Sequence, residues 1–382
     1  MSLITTTEQL RIFCKKQEKT NFVTVDTEFM REKTYWPKVC LIQVGGEDEA
    51  VAIDPLAQGI DLGPLYELMT ETRVLKVFHA ARQDVEIFYK LMGAVPSPMV
   101  DTQVAAMVCG FGESASYETL VASLTGKKVD KTSRFTDWAR RPLSDKQLEY
   151  ALGDVTHLRD VYRKLEAALE KNARRTWVGE EMAFLRAPST YAADPKDAWK
   201  RLKLRTDKPR VRALAQAIAA WREEEAQRLD VPRGRVLRDE AVLEIVYHPP
   251  RTADDLAKIR GLSKAFAEGR QGRALLGVVE AALQLPPSAC PSEKERRNLP
   301  GGLGSSVDLL KVLLKHVSED SGVAAKLIAT TEDLEDFLAD EVGASVLLKG
   351  WRKELFGDLA QELRKGSLTI GLKGKKIIFK ER

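Results

Sequence analysis

Apolar and polar positions along the chain change period several times, and the changes divide it into an α/β part and a helical part. Near the start, Thr6 with Gln9 three residues on has the spacing of a helix-opening capping box. Three short β-rich runs follow at Phe22–Asp26, Val39–Val44 and Ala50–Ile53, joined by short polar or glycine-containing links that suit an antiparallel meander. After an intervening helix come a further β run at Val74–Phe78, a helix from about Arg82 to Met92, and a short extended stretch ending at Asp101. From there the pattern reads as helical to about Leu185. Strands first, then strands alternating with helices, predict a mixed sheet flanked by helices.

Two stretches interrupt the periodicity. Ala187–Pro209 is rich in proline and charge, and Pro286–Gly304 contains PPSACPSEKERRNLPGGLG, which reads as a linker. The blocks after each break are helical, and the second closes with a β-like, lysine-rich tail from Ser367 to Arg382. The expected division is an α/β domain over 1–190, a linker over 191–208, a helical domain over 209–286, a linker over 287–304 and a second helical domain over 305–382.

Composition narrows the chemistry. At 382 residues with 44% hydrophobic and 30% charged side chains, the chain is an ordinary globular protein of two or three domains. The net charge of +4 is a small excess of 60 basic over 56 acidic groups, so only the distribution of charge can speak about partners. No apolar run approaches the roughly 20 residues that span a bilayer. The N-terminal MSLITTTEQLRIF lacks the basic and apolar regions of a secretory signal. Cys14, Cys40, Cys109 and Cys290 are scattered, which suits free thiols in a reducing cytoplasm. The four histidines are dispersed too, so any metal chemistry must run on carboxylates.

Three local patterns carry such carboxylates. Asp26 and Glu28 are two apart on a β run, so both project from one face of the strand end. Paired anions repel, and a hard divalent cation with oxygen ligands relieves them. Asp84 falls in the first turn of the helix after Phe78-His79, where a bland helix-terminus role would also suit it. Tyr150 and Asp154 are four apart on a helical pattern and share a face. Each pattern alone is weak. Together, four carboxylates and one tyrosine suit phosphoryl transfer by two metal ions about 3.5–4 Å apart, the arrangement that stabilises the attacking and leaving oxygens of an in-line displacement.

The stretches VDTEFMRE, FHAARQDVEIF and YALGDV resemble the three exonuclease motifs of the DEDD superfamily, in the subgroup whose third motif carries tyrosine. Asp137-Trp138-Ala139-Arg140-Arg141-Pro142-Leu143-Ser144, Tyr35-Trp36-Pro37 and Cys40-Leu41-Ile42-Gln43 are similar to the ribonuclease D family in particular. Trp221-Arg222, Val231-Pro232-Arg233 and Ile259-Arg260-Gly261-Leu262 resemble the helicase-and-ribonuclease-D C-terminal (HRDC) domain. The last block shares only position and helical texture with it. The resemblance implies a ribonuclease H-like fold followed by two HRDC-type domains. It also implies a 3′→5′ exoribonuclease that releases 5′-mononucleotides one at a time from transfer RNA precursors and other small structured RNAs. In that family pattern Asp26, Glu28, Asp84 and Asp154 hold two Mg²⁺ or Mn²⁺ ions and Tyr150 orients the attacking water. A monomer is expected.

Around this constellation, Thr27, Phe29, His79, Arg140 and Arg141 are candidate RNA contacts. Phe29 could wedge terminal bases or sit in the core, and His79 could meet a phosphate or sugar hydroxyl or be structural. One of Arg140 and Arg141 could contact phosphate while the other pairs with a carboxylate and holds its loop. The basic run Lys200, Arg201, Lys203, Arg205, Lys208, Arg210 and Arg212 reads as either a solvated face or a salt-sensitive RNA guide, and Lys373–Lys376 as a weaker version. Two rival functions share parts of this pattern: a DNA exonuclease of the Werner type, and a non-catalytic RNA-binding scaffold. The D-W-A-R-R-P-L stretch argues against the first, and four mutually repelling carboxylates argue against the second.

Overall fold

The structure is a computed structural model that describes residues 2–130, 133, 136–206, 208–291, 302–339 and 345–381. Most of the linker expected at 287–304 lies outside the described residues. The chain forms two compact units. One comprises Met1–Glu28, Cys40–Pro188 and Asn298–Arg382, the other Phe29–Val39 and Ser189–Arg297.

In the first unit, β1 (Ser2–Ile4) precedes α1 (Thr7–Gln17), and β2 (Phe22–Met30), β3 (Lys38–Gly45) and β4 (Ala50–Ile53) follow. Next come α2 (Gly63–Thr70), β5 (Leu75–Phe78), α3 (Arg82–Met92) and β6 (Met99–Asp101). The sheet order is β1-β4-β3-β2-β5-β6. Strands β3 and β4 are antiparallel, with Ile42 opposite Ile53, whereas β5 runs parallel to both β2 and β6. This is the mixed sheet that the pattern predicts, extended by the three-residue edge strand β1, too short to show a period. At its centre is β3, buried from Val39 to Gly45 on both faces, with Gln43 a polar residue inside an otherwise apolar run. Helix α1 begins at the expected cap: Thr6 Oγ1 accepts from Gln9 N at 3.3 Å. The Gln9 side chain, however, accepts from Thr5 N, one residue earlier than a capping box places it.

After β6 the chain forms α4 (Thr102–Val108), α5 (Tyr117–Thr125), α6 (Asp145–Lys171), α7 (Arg175–Glu181) and α8 (Ala183–Arg186). The described part of 126–143 is irregular, within a stretch whose overall pattern reads as helical. Ala139 N turns onto the Asp137 carboxylate, and Pro142 bars helix entry until Ser144 and Gln147 close a full capping box at the start of α6. Leu148, Ala151, Val155, Leu158, Val161, Leu165 and Leu169 form the buried stripe of α6. That helix approaches the sheet closely because Gly45 has no side chain. A Cβ there would lie 2.5 Å from Thr24 Oγ1 and 3.2 Å from the Val155 carbonyl. Thr24 instead donates to Val155 O at 2.8 Å, setting α6 against β2.

The second unit holds α9 (Pro209–Leu229), α10 (Arg233–Val236), α11 (Asp239–Tyr247), α12 (Ala253–Ala257), α13 (Lys264–Glu268) and α14 (Arg270–Leu283). Its core gathers Leu214, Ile218, Trp221, Val242, Ile245 and Leu275. Tyr35 is buried there, donating its hydroxyl to Glu223, which also pairs with Arg233 at 2.7 Å. The basic run is not one free face. Arg212 is buried, Arg210 donates to the Leu283 carbonyl, and Arg201 pairs with Glu223.

The C-terminal block contributes α15 (Gly304–Ser321), α16 (Ala325–Ile328), α17 (Thr331–Ala339), α18 (Gly350–Arg352) and α19 (Asp358–Lys365), with a π-helical turn at Lys353–Gly357. It ends in a hairpin of β7 (Leu368–Lys373) and β8 (Lys376–Glu381), where the sequence reads as β-like. This block packs within the first unit: Trp351 stacks on Trp177 at 4.8 Å, and Arg352 pairs with Glu181 at 2.7 Å. Among the described residues, no helix is long and apolar enough to cross a membrane.

Candidate active site

Alternation along β2 puts Asp26 and Glu28 on one face, half-buried, while Thr27 between them is buried. Asp154 comes to the same place from α6, and one oxygen from each of the three carboxylates lies within 4.8 Å of the others. They line a cleft of about 490 Å³ together with His79, Tyr117 and Tyr150. Loss of solvent around Asp26 raises its pKa to about 6. Three anions this close are poorly tolerated without a cation, and oxygen-only ligands suit a hard divalent one.

Asp84 stands just outside this trio. It is buried in the first turn of α3 and accepts a 2.5 Å hydrogen bond from Thr27 Oγ1. Burial first, and the charge of Asp26 second, raise its pKa well above the usual carboxylate range.

The link that delivers α3 is held by a residue that sequence reasoning missed. Asp101, at the end of β6, accepts from Ala80 N and Ala81 N, each at 2.9 Å, and from Gln103 N at 2.8 Å. Ala80 sits in the left-handed region at φ +54°, a conformation unfavourable for a residue with a Cβ, so the carboxylate clamp has something to hold. Nothing in the local pattern around Asp101 announces this bond across some twenty positions. His79 lies on the same link. Its Nδ1 is 3.0 Å from Thr102 Oγ1, and burial holds its pKa down to about 4.

Tyr150 is half-buried on α6, with the Trp138 ring 6.0 Å away. The loop bearing Trp138 is fastened by Arg141, whose Nε and Nη2 make 2.7 Å bonds to both oxygens of buried Asp54. Arg141 also donates to the carbonyls of Cys40 and Trp138. Its guanidinium is thus engaged with protein groups, whereas Arg140 is exposed. Phe29 is half-buried and falls in the second unit. Tyr117, not singled out from the sequence, donates its hydroxyl to the Asp154 carbonyl and lies 5.5 Å from the His79 ring. Its only local signal is the Ser116 cap that starts α5.

Residues 1–170 match the 3′–5′ exonuclease family and residues 211–279 the HRDC domain. The chain is 49% identical over 383 residues to ribonuclease D of Nitrobacter hamburgensis, covering all of both chains. It is 50% identical over 380 residues to ribonuclease D of Granulibacter bethesdensis, covering 98% of this chain and 95% of that one. The crystal structure of Escherichia coli RNase D superposes with a TM-score of 0.82 at 29% identity, covering 96% of this chain and 98% of that one. The exonuclease fold implies use of a divalent metal, which the acidic cluster has the chemistry to bind. The chain belongs to the ribonuclease D family and is a 3′→5′ exoribonuclease.

Proposed function

We propose that Asp26, Glu28, Asp84 and Asp154 hold two divalent ions, Mg²⁺ or Mn²⁺, and that Tyr150 orients the water that attacks the terminal phosphodiester of an RNA. The observation that carries this reading is the convergence of Asp26, Glu28 and Asp154 within 4.8 Å, with Asp84 buried behind them. When bound, the ions supply positive charge to the attacking and leaving oxygens of the in-line displacement. Asp26 and Glu28 offer ligand oxygens from a rigid strand, and Asp154 offers its own from a helix anchored through Val155. Thr27 acts through Asp84 rather than on RNA directly. Tyr150 holds the water by its hydroxyl, with Trp138 backing the ring. Arg140 contacts backbone phosphate, and Arg141 holds the loop. Products leave as 5′-monophosphates, one per cycle.

The substrates we assign are the 3′ trailers of transfer RNA precursors and other small structured RNAs. The Escherichia coli relative, described as an exoribonuclease involved in structured RNA processing, supports that class. We further propose that residues 1–190 form the catalytic domain, 209–286 an HRDC domain and 305–382 a second HRDC-like domain. The enzyme acts as a cytoplasmic monomer, a setting that its four free cysteines suit.

Digestion of a 3′-extended transfer RNA precursor with Mg²⁺, in parallel with Asp26→Asn, tests the reading. Stepwise shortening by the parent alone is expected. Equal shortening by both proteins would remove Asp26 from the site, and shortening by neither would remove the substrate class.

A further inference from the structure

His79 has one ring nitrogen committed to the protein and one available to a ligand. The Thr102 hydroxyl lies 3.0 Å from the Phe78 carbonyl, which can only accept, so its single hydrogen goes there. His79 Nδ1, 3.0 Å from the same hydroxyl oxygen, must therefore be the donor in that pair. Burial keeps the imidazole neutral at physiological pH, so Nε2 carries a lone pair and no proton. Nε2 has no protein partner among the described residues and is not sealed in the interior. Its ring lines the cleft with Asp26, Glu28, Tyr150 and Asp154. The Tyr117 ring, tethered through its hydroxyl to the Asp154 carbonyl, packs against the imidazole and restrains it.

An acceptor in that position repels phosphate oxygens, which are acceptors themselves, and reads a donor. Base amino and ring N–H donors differ between nucleotides and cannot serve an enzyme that removes every base. Sequence-independent donors at an RNA 3′ end are the ribose hydroxyls, and of these only the 2′-hydroxyl is absent from DNA. We infer that His79 Nε2 accepts a hydrogen bond from a 2′-hydroxyl near the RNA 3′ end, making His79 a residue that distinguishes RNA from DNA. The inference rests on the cleft being the active site.

The test measures kcat/KM with Mg²⁺ on RNA oligomers carrying a single 2′-deoxy or 2′-fluoro sugar at the last or penultimate nucleotide. Fluorine keeps the ribose pucker but cannot donate. The parent enzyme should lose about tenfold, the scale of one neutral hydrogen bond, on both substitutions at the same position. His79→Phe should slow the all-RNA substrate by a similar factor and show no further loss on the modified ones. Cleavage of 2′-fluoro RNA by the parent as fast as unmodified RNA would overturn the inference without any variant having to fold. An undiminished 2′-deoxy penalty in His79→Phe would overturn it as well. Asp26→Asn, run alongside, should be inactive on every substrate. Parent-like activity in that variant would instead remove the site reading, and this inference with it.

Discussion

The Thr27 hydroxyl donates a 2.5 Å hydrogen bond to Asp84 Oδ1, joining the strand that carries two acidic residues to the helix that carries another. An O–H donor to a carboxylate at this distance is a strong, charge-assisted bond, and it favours the ionised form of Asp84 against the effect of burial. Thr27→Val keeps the shape and removes the donor. Asp84 should then hold its proton more tightly, and the Mg²⁺ concentration for half-maximal activity should rise about tenfold. An unchanged metal requirement in a titration would show that the bond plays no part in metal binding.

Asp26→Asn and Asp154→Asn each remove a charge from a cluster of like charges. Turnover should fall by at least about a hundredfold, while the melting temperature stays level or rises, because repulsion is relieved. The parent should gain stability on addition of Mg²⁺ or Mn²⁺, by about 2.7 kcal/mol at a hundred times the dissociation constant. The Asn variants should gain much less. Thermal melts with and without metal check both parts, and an equal gain in parent and variants would place the ions elsewhere.

His79 gives folding a defined pH dependence. Its folded pKa of about 4 lies below the unfolded-chain value of 6.5 because burial disfavours the imidazolium. Between these values the unfolded chain binds a proton that the folded chain does not. Stability is therefore lost as pH falls from about 6.5 to about 4, with a slope of up to roughly 1.4 kcal/mol per pH unit from this one group. Urea melts of the parent and His79→Phe at pH 7 and pH 5 should show a smaller drop in the variant. Parallel drops would mean that His79 takes up a proton without cost.

Asp101 clamps the link between β5 and α3 through three backbone amides. Asp101→Asn sets an amide group against at least one of those N–H donors. It should cost about 1–3 kcal/mol, the penalty of a buried polar group left unsatisfied. Because Ala80 and Ala81 lead into the helix bearing Asp84, activity should fall as well. A variant as stable as the parent in denaturant would show that the clamp is redundant.

Much of the site was legible in the chain because its spacings are covalent. Asp26 and Glu28 share a strand face by the two-residue period, and Tyr150 and Asp154 share a helix face by the four-residue one, wherever those elements pack. Three strands in succession, then strands alternating with helices, likewise announce a mixed sheet. The interval after α5 lies in a stretch that reads as helical because apolar period alone does not register the Asp137 turn or the proline at 142.

What the sequence by itself determined, then, is which side chains share a face of each element, since backbone geometry sets that locally. Only the tertiary structure decided which faces meet. It brought Asp154 to Asp26 and Glu28, gave Thr27 to Asp84, matched Arg141 to Asp54, and turned one nitrogen of His79 inward to Thr102. Those pairings join residues far apart in the chain. They follow from how close Gly45 lets α6 approach and where Asp101 directs α3, which depends on packing rather than on any local period.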